Sequence, residues 1–276
     1  IIAIMYDFDK TLSKSDMQDY GFIPALGMTP SEFWGATGKF QQESKMERIL
    51  SYMYVMVKLA KEKGIKLTRK TLNQMGENIE YYPGVEDWFQ RINKFGEDHG
   101  VKIEHYIISS GTKEILEGSK IAKEFKEIFG CEFYYDPETK EPIWPNLAIN
   151  YTQKTQYIYR IRKNSTDLLD DTTINTKVDD IRVPYTNMIY LGDGMTDIPC
   201  MMLVQNNKGH SIALYDDAHS EALAKLLDER RTNVCVKADY REGSDLDKSI
   251  KQIIESVANE SELAMKFEKF REKHIN

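Results

Sequence analysis

Only three cysteines, Cys131, Cys200 and Cys235, occur in 276 residues. An odd number argues against a disulfide framework, and no C-x-x-C pair offers a zinc site. Reduced thiols packed as small hydrophobes, in a cytoplasmic protein, are the expectation. No apolar run approaches the ~20 residues of a membrane-spanning helix. No signal peptide is read at the start, and no membrane partner is expected. Positive charge is not in excess either: 37 Lys and Arg against 44 Asp and Glu leave −7. A nucleic-acid binder would present a basic face, so nucleic acid is not an expected partner. The sequence carries no mark of oligomeric state.

What is present is a hydrophobic content of 41%, enough for a sizeable core in one or two domains. The chain opens on Ile1-Ile2-Ala3-Ile4-Met5-Tyr6, an apolar run that reads as a buried strand. Asp7-Phe8-Asp9-Lys10-Thr11-Leu12-Ser13 follows at its carboxyl end, the side on which open α/β sheets bind ligands. Along an extended chain residues i and i+2 point the same way, so Asp7 and Asp9 can face one point. Two carboxylates that close repel and raise each other's pKa. A cation between them, or a proton on one, relieves the repulsion. Both solutions suit a metal-assisted reaction with one carboxylate as nucleophile and one as acid/base. The alternative is that these aspartates are turn residues or helix caps.

Two turn-rich joints, Ser13 to Asp16 and Tyr82-Pro83-Gly84, bracket a segment of different character. Between them Met46, Ile49, Leu50, Met53, Tyr54, Met56, Val57, Leu59 and Ala60 have helical spacing, ended by Lys61-Glu62-Lys63-Gly64. A second helix is expected from Arg69 to Asn78. With no convincing strand, residues 15–81 read as an inserted all-helical domain, leaving 1–14 and 82–276 as the core. In the core, helices are expected over Val85–His99, Glu114–Phe129 and Gln153–Arg162. Strands are expected at Ile103–Ile108, Cys131–Tyr135, Met188–Leu191, Ser211–Leu214 and Asn233–Val236. The cluster Asp136 to Lys140 predicts a hairpin. Apolar positions from Leu246 to Phe270 predict amphipathic helices packed on the core. Asn164 to Asp180, with Asp167, Asp170, Asp171, Asp179 and Asp180, reads as a solvated loop with at most one short helix. The fold class is α/β: a Rossmann-like, mainly parallel sheet with helices on both faces, plus the helical insert.

Further polar groups fall at strand ends or a helix start: Ser109-Ser110-Gly111-Thr112, Lys154, and Gly192-Asp193-Gly194-Met195-Thr196-Asp197. Each has a structural alternative. Ser110 could cap a helix, Lys154 could sit on the surface, Asp193-Gly194 could be a plain turn and Asp197 an N-cap. Their order and context, with Asp7-Phe8-Asp9, resemble the haloacid dehalogenase (HAD) superfamily, mostly phosphatases. The helical insert sits where the phosphoserine-phosphatase-like branch carries its cap domain. The resemblance implies Asp7 as nucleophile, forming an aspartyl-phosphate, and Asp9 as acid/base. It implies Mg²⁺ held by the Asp7 and Asp193 carboxylates and the Asp9 carbonyl. It also implies a phosphate held by Ser110, Gly111 and Lys154, with Asp197 orienting that lysine or a metal-bound water.

An aspartate two residues after the nucleophile distinguishes such phosphatases from dehalogenases and transport ATPases. The implied activity is a Mg²⁺-dependent phosphatase acting on a small phosphorylated metabolite. A phosphotransferase or mutase, and a non-catalytic phosphate-sensing module, are the alternatives. The chain departs from phosphoserine phosphatase in its acidic loop, and in carrying Asp16 where that enzyme has a glutamate contacting substrate. Arg48, whose guanidinium fork matches a carboxylate or second phosphate, joins Asp16 as a candidate selector in the cap. Solvated helix arginine is its alternative. Phe33, Trp34, Tyr52 and Tyr54 are divided between facing substrate and packing the cap.

Overall fold

The computed structural model describes residues 1–177, 181–216, 227 and 229–275. The apolar opening forms β1 (Ile2–Tyr6), every residue of it buried. Strands covered on both faces read as continuous apolar runs, and β1 lies in the middle of a seven-stranded sheet. The other strands are β2 (Ile103–Thr112), β3 (Glu127–Tyr135), β4 (Pro142–Leu147), β5 (Met188–Gly192), β6 (His210–Tyr215) and β7 (Val234–Lys237), in the order β4-β3-β2-β1-β5-β6-β7. All pairings are parallel except β3 with β4, the hairpin around Asp136–Lys140. β1 pairs Ile2 with Ile103 on one side and Ala3 with Met188 on the other. The carboxyl ends of β1, β2 and β5 therefore open at one edge.

Between β1 and β2 lie α1 (Phe22–Ala25), α2 (Pro30–Ser44), α3 (Arg48–Glu62), α4 (Arg69–Gln74) and α5 (Val85–Asp98). Thr29 and Glu32 cap α2 reciprocally, and the Glu47 carboxylate accepts from the Ile49 and Leu50 amides at the start of α3. One face of α3 buries Ile49, Tyr52, Met53, Val55, Met56 and Ala60. The two joints run side by side: the Lys14 amide donates to Glu80 O at 3.0 Å and the Tyr82 amide to Leu12 O at 3.0 Å. Beyond β2 come α6 (Lys113–Glu117), α7 (Gln153–Lys163), α8 (Asp171–Asn175), α9 (Ile198–Asn206) and α10 (Asp245–Ile275). Among the described residues no helix is long and apolar enough to cross a membrane.

Three expectations need correction. The helix predicted over Glu114–Phe129 stops at Glu117, and a short 3₁₀ turn, Ala122–Glu124, precedes β3. The reason is a backbone contact that periodicity does not encode. A β-carbon on Gly118 would lie 1.7 Å from Asn73 O, and one on Gly76 would lie 2.1 Å from Ile115 O. The ends of α4 and α6 touch main chain to main chain, and this also ends α4 at Gln74 rather than Asn78. The third correction is the C-terminal stretch, which is one continuous helix. Leu246, Ile250, Ile254 and Val257 of α10 are buried, whereas Leu263, Phe267 and Phe270 are at least half exposed. Leu263 lies six positions after Val257, which at 3.6 residues per turn puts the later stripe on another side of the helix.

Among its described residues the acidic stretch carries one short helix, α8, capped by Asp170 through the Thr173 amide at 2.9 Å. Its carbonyls gather around cations: Arg160 donates to those of Ser165, Asp167 and Leu168, and Lys163 to those of Thr173, Ile174 and Thr176. Asp179 and Asp180 lie outside the described residues.

Candidate active site

The site is assembled at the carboxyl edge of β1. The Asp7 amide extends the ladder by donating to Leu191 O at 2.9 Å, which fixes the Asp7 side chain just past the strand. The amides of Thr11, Leu12 and Ser13 all donate to Phe8 O, so the chain doubles back at once. Lys10 sits in that turn at φ 58°, the left-handed region that a side chain seldom adopts. Asp9 is oriented by the Met17 amide, which donates to its Oδ1 at 2.7 Å. After β5 the chain presents Asp193, whose Oδ1 accepts from Thr11 Oγ1 at 3.3 Å.

Lys154, in the first turn of α7, is wholly buried. Its Nζ lies 3.0 Å from Asp7 Oδ1 and 2.8 Å from Asp197 Oδ1. Asp197 also accepts from Tyr190 OH at 2.7 Å and from the Gly194 amide at 3.2 Å. Its Oδ1 is thus shared by the lysine and the tyrosine, and its Oδ2 is taken by the backbone. Ser109 to Thr112 do not follow β2 but belong to it, at a break in pairing register between Ile108 and Thr112. Ser110 O accepts from Tyr52 OH at 2.8 Å and from the Cys131 thiol at 3.2 Å. Ser110 Oγ is buried with no hydrogen-bond partner among the described residues. The Gly111 amide donates to Ser109 Oγ at 2.9 Å.

Asp7, Asp9, Ser110, Gly111 and Asp193 line one cleft of about 300 Å³, with Lys154 and Asp197 directly beneath. A larger cavity of about 730 Å³ lies under the β3–β4 hairpin, lined by Lys66, Arg69, Tyr135 and Thr139, but none of these groups reaches it. Chemistry, rather than size, marks the smaller one.

Burial and then the Asp197 charge push Asp7 up to about 6, against the pull of Lys154. Asp193 is held well above the carboxylate range by burial and by Asp197 and Asp7. Asp9 is likewise held well above it, by burial and by Asp16 and Asp7, against the Met17 amide and Lys10. Burial works against the Lys154 charge, yet Asp197 and Asp7 raise its pKa, so the ammonium is the fixed charge of the group. Asp7, Asp193 and Asp197 each offer an oxygen within 4.8 Å of one another. With Asp197 committed to Lys154 and Tyr190, Asp7 and Asp193 are the open pair. An all-oxygen donor set, repulsive as it stands, fits a hard divalent cation such as Mg²⁺.

From the cap segment, Asp16 and Arg48 both line this cleft, joined by Gln18, Trp34, Ile49 and Tyr52. Phe33 is buried in the cap, and Tyr54 lies outside the cleft, stacked on Phe40. Sequence reasoning missed Thr11, Gln18 and Tyr190. Tyr190 had a signal: one hydroxyl inside an otherwise apolar strand, Met188–Leu191, needs a buried partner.

No family model matches the chain. An uncharacterised protein of Borreliella burgdorferi is 27% identical over 272 residues, covering 89% of this chain and 94% of its own. Among solved structures, a substrate-bound phosphoserine phosphatase aligns with a TM-score of 0.55 at 17% identity, over 87% of this chain and 95% of that one. A HAD-family hydrolase from Salmonella enterica serovar Typhi aligns with a TM-score of 0.54 at 18% identity, over 80% of this chain. The chain spans 64% of that protein, less than two thirds of its length. The chain shares its fold with this HAD-family hydrolase and this phosphoserine phosphatase.

Proposed function

We propose that this protein is a Mg²⁺-dependent phosphatase that cleaves a small phosphorylated metabolite through an aspartyl-phosphate on Asp7. One observation carries the reading: Lys154 bridges Asp7 and Asp197 beneath the cleft on which Asp9, Ser110 and Asp193 converge. Phosphoryl transfer needs positioning and charge neutralisation above all, and this arrangement provides both. Residues 1–14 and 82–276 form the catalytic core in this reading, and 15–81 the cap. Its free cysteines suit the cytoplasm.

An Asp7 oxygen attacks phosphorus, and the bond to the leaving oxygen breaks as the bond to Asp7 forms. Asp9 gives its proton to that leaving oxygen; its raised pKa keeps a proton available. A water then attacks phosphorus, Asp9 takes the water's proton, and phosphate leaves with Asp7 restored. Ser110 Oγ, a buried hydroxyl without a partner, is placed to donate to a phosphoryl oxygen. The Gly111 amide would join it on leaving Ser109. The Asp7 and Asp193 carboxylates and the Asp9 carbonyl would hold Mg²⁺, which supplies positive charge to the phosphoryl oxygens when bound.

The test is phosphate release from p-nitrophenyl phosphate. Release that EDTA abolishes and Mg²⁺ restores is expected, and Asp7→Asn should remove it while leaving the circular dichroism spectrum unchanged. Full activity after exhaustive chelation, or in Asp7→Asn, would sink the mechanism.

A further inference from the structure

Part of the cleft's lining, contributed by the cap segment and Lys10, is not used by the phosphate chemistry, and its charges are unevenly matched. Asp16 faces it but is already neutralised: Lys10 Nζ lies 3.1 Å from Asp16 Oδ1. The turn that places Lys10 at φ 58° is the one that doubles the chain back beside Asp9, so the counter-ion is built into the nucleophile loop. Arg48 also lines the cleft and makes no ion pair among the described residues. Gln18 is 2% exposed, and its Oε1 has no hydrogen-bond partner among the described residues. This lining therefore offers an unpaired guanidinium and an unsatisfied carboxamide oxygen, with its carboxylate already occupied.

A substrate's ammonium would have to compete with Lys10 for Asp16 and sit beside a like charge. A hydroxyl avoids that repulsion and can donate to Gln18 Oε1, and an anion can take the Arg48 fork. Resting on the phosphatase reading above, we propose that the leaving group is an anionic alcohol without an ammonium, such as a phosphorylated hydroxy acid, and that Lys10 excludes phosphorylated amino acids and amino alcohols. Lys10 is a specificity-determining residue through its hold on Asp16.

The isosteric pair 3-phosphoglycerate and O-phosphoserine, which differ by hydroxyl for ammonium, isolates the Lys10 effect. The pair 2-hydroxyethyl phosphate and phosphoethanolamine repeats the contrast without the carboxylate. Fructose 1,6-bisphosphate tells a second phosphate from a carboxylate at Arg48. Wild-type kcat/KM, normalised to p-nitrophenyl phosphate, should favour the hydroxyl member of each pair by about tenfold or more. Lys10→Asn keeps a residue tolerated in the left-handed region and should close or reverse both ratios, whereas Lys10→Arg should keep them. Arg48→Gln should narrow the advantage of 3-phosphoglycerate over 2-hydroxyethyl phosphate. The same esters are also ranked by calorimetric binding to Asp7→Asn, which reads selection without turnover. Equal or better use of O-phosphoserine by the wild type, or ratios unmoved in Lys10→Asn, would overturn the inference. Absent turnover of p-nitrophenyl phosphate would overturn the phosphatase reading instead, with the binding ranking still deciding the role of Lys10.

Discussion

At the scale of single residues, Asp7 and Asp9 differ by what surrounds them. Lys154 touches Asp7 at 3.0 Å, whereas a backbone amide from Met17 holds Asp9. Lys154 opposes the rise of Asp7, which burial and Asp197 still carry to about 6, whereas Asp9 is held well above its ordinary value by burial, Asp16 and Asp7. Asp9→Asn should therefore slow esters of poorly leaving alkyl alcohols by roughly 10²–10⁴-fold and aryl esters by clearly less. Steady-state rates across a series of leaving groups check this, and equal losses throughout would remove Asp9 from the acid role. Asp7, Asp9, Ser110, Lys154, Asp193 and Asp197 could be picked out because each sits beside a glycine, a strand end or a helix start, and the structure gathers them at one cleft; their roles were only implied by the resemblance. Tyr190 and Thr11 were not: they hold Asp197 and Asp193 through side chains whose meeting depends on the sheet order. Nor did the pattern say that Asp16 would be paired with Lys10.

At the scale of elements, apolar periodicity located β1, α3, α5, α7 and β5 to within a residue or two. It failed where two backbones meet. α6 is cut short because Gly118 and Gly76 let the end of α4 press on it, a long-range contact without a local signature. Gly118 has ordinary helical dihedrals (φ −83°), so a substitution there acts through space alone. Gly118→Ala would drive a methyl group onto Asn73 O, and the contact must open to admit it. A loss of about 1–3 kcal/mol is expected, as for other overpacked sites. The urea midpoint measures it; an unchanged midpoint would mean that the contact yields freely. The same failure of local pattern explains α10, whose second apolar stripe satisfies helical spacing without meeting the core.

At the scale of the whole molecule, stability should fall in acid through two buried groups far from the cleft. His105 accepts from Tyr6 OH at Nδ1 and donates from Nε2 to Asn93 Oδ1, both at 3.0 Å, while Trp88 Nε1 donates to the same tyrosine. Burial pushes this histidine down to about 3. The unfolded chain takes up its proton near the ordinary 6.5, so this stabilisation is complete above that pH and is lost as pH falls from 6.5 towards 3. The slope is at most ~1.4 kcal/mol per pH unit. Glu104 follows lower down. Burial would raise it, but Arg182, Tyr106 and Lys126 hold it down to about 2, so its share is lost below its ordinary 4.5. Unfolding free energies compared between wild type and His105→Gln should converge from neutral pH to about pH 5. Parallel curves would show that His105 titrates alike in both states.

The central position of β1 has a consequence for how the protein comes into being. The strand that carries the proposed nucleophile precedes both of its sheet partners along the chain, and it is completed on both sides only when Ile103 and then Met188 have followed it. Until then Ile2–Tyr6, wholly apolar but for one phenol, has no lasting neighbour, and strands awaiting distant partners are slow to settle and prone to stick to one another. Asp7 is thus made before the strands that position it, and a partial chain ending before β5 lacks the Leu191 carbonyl that holds its amide.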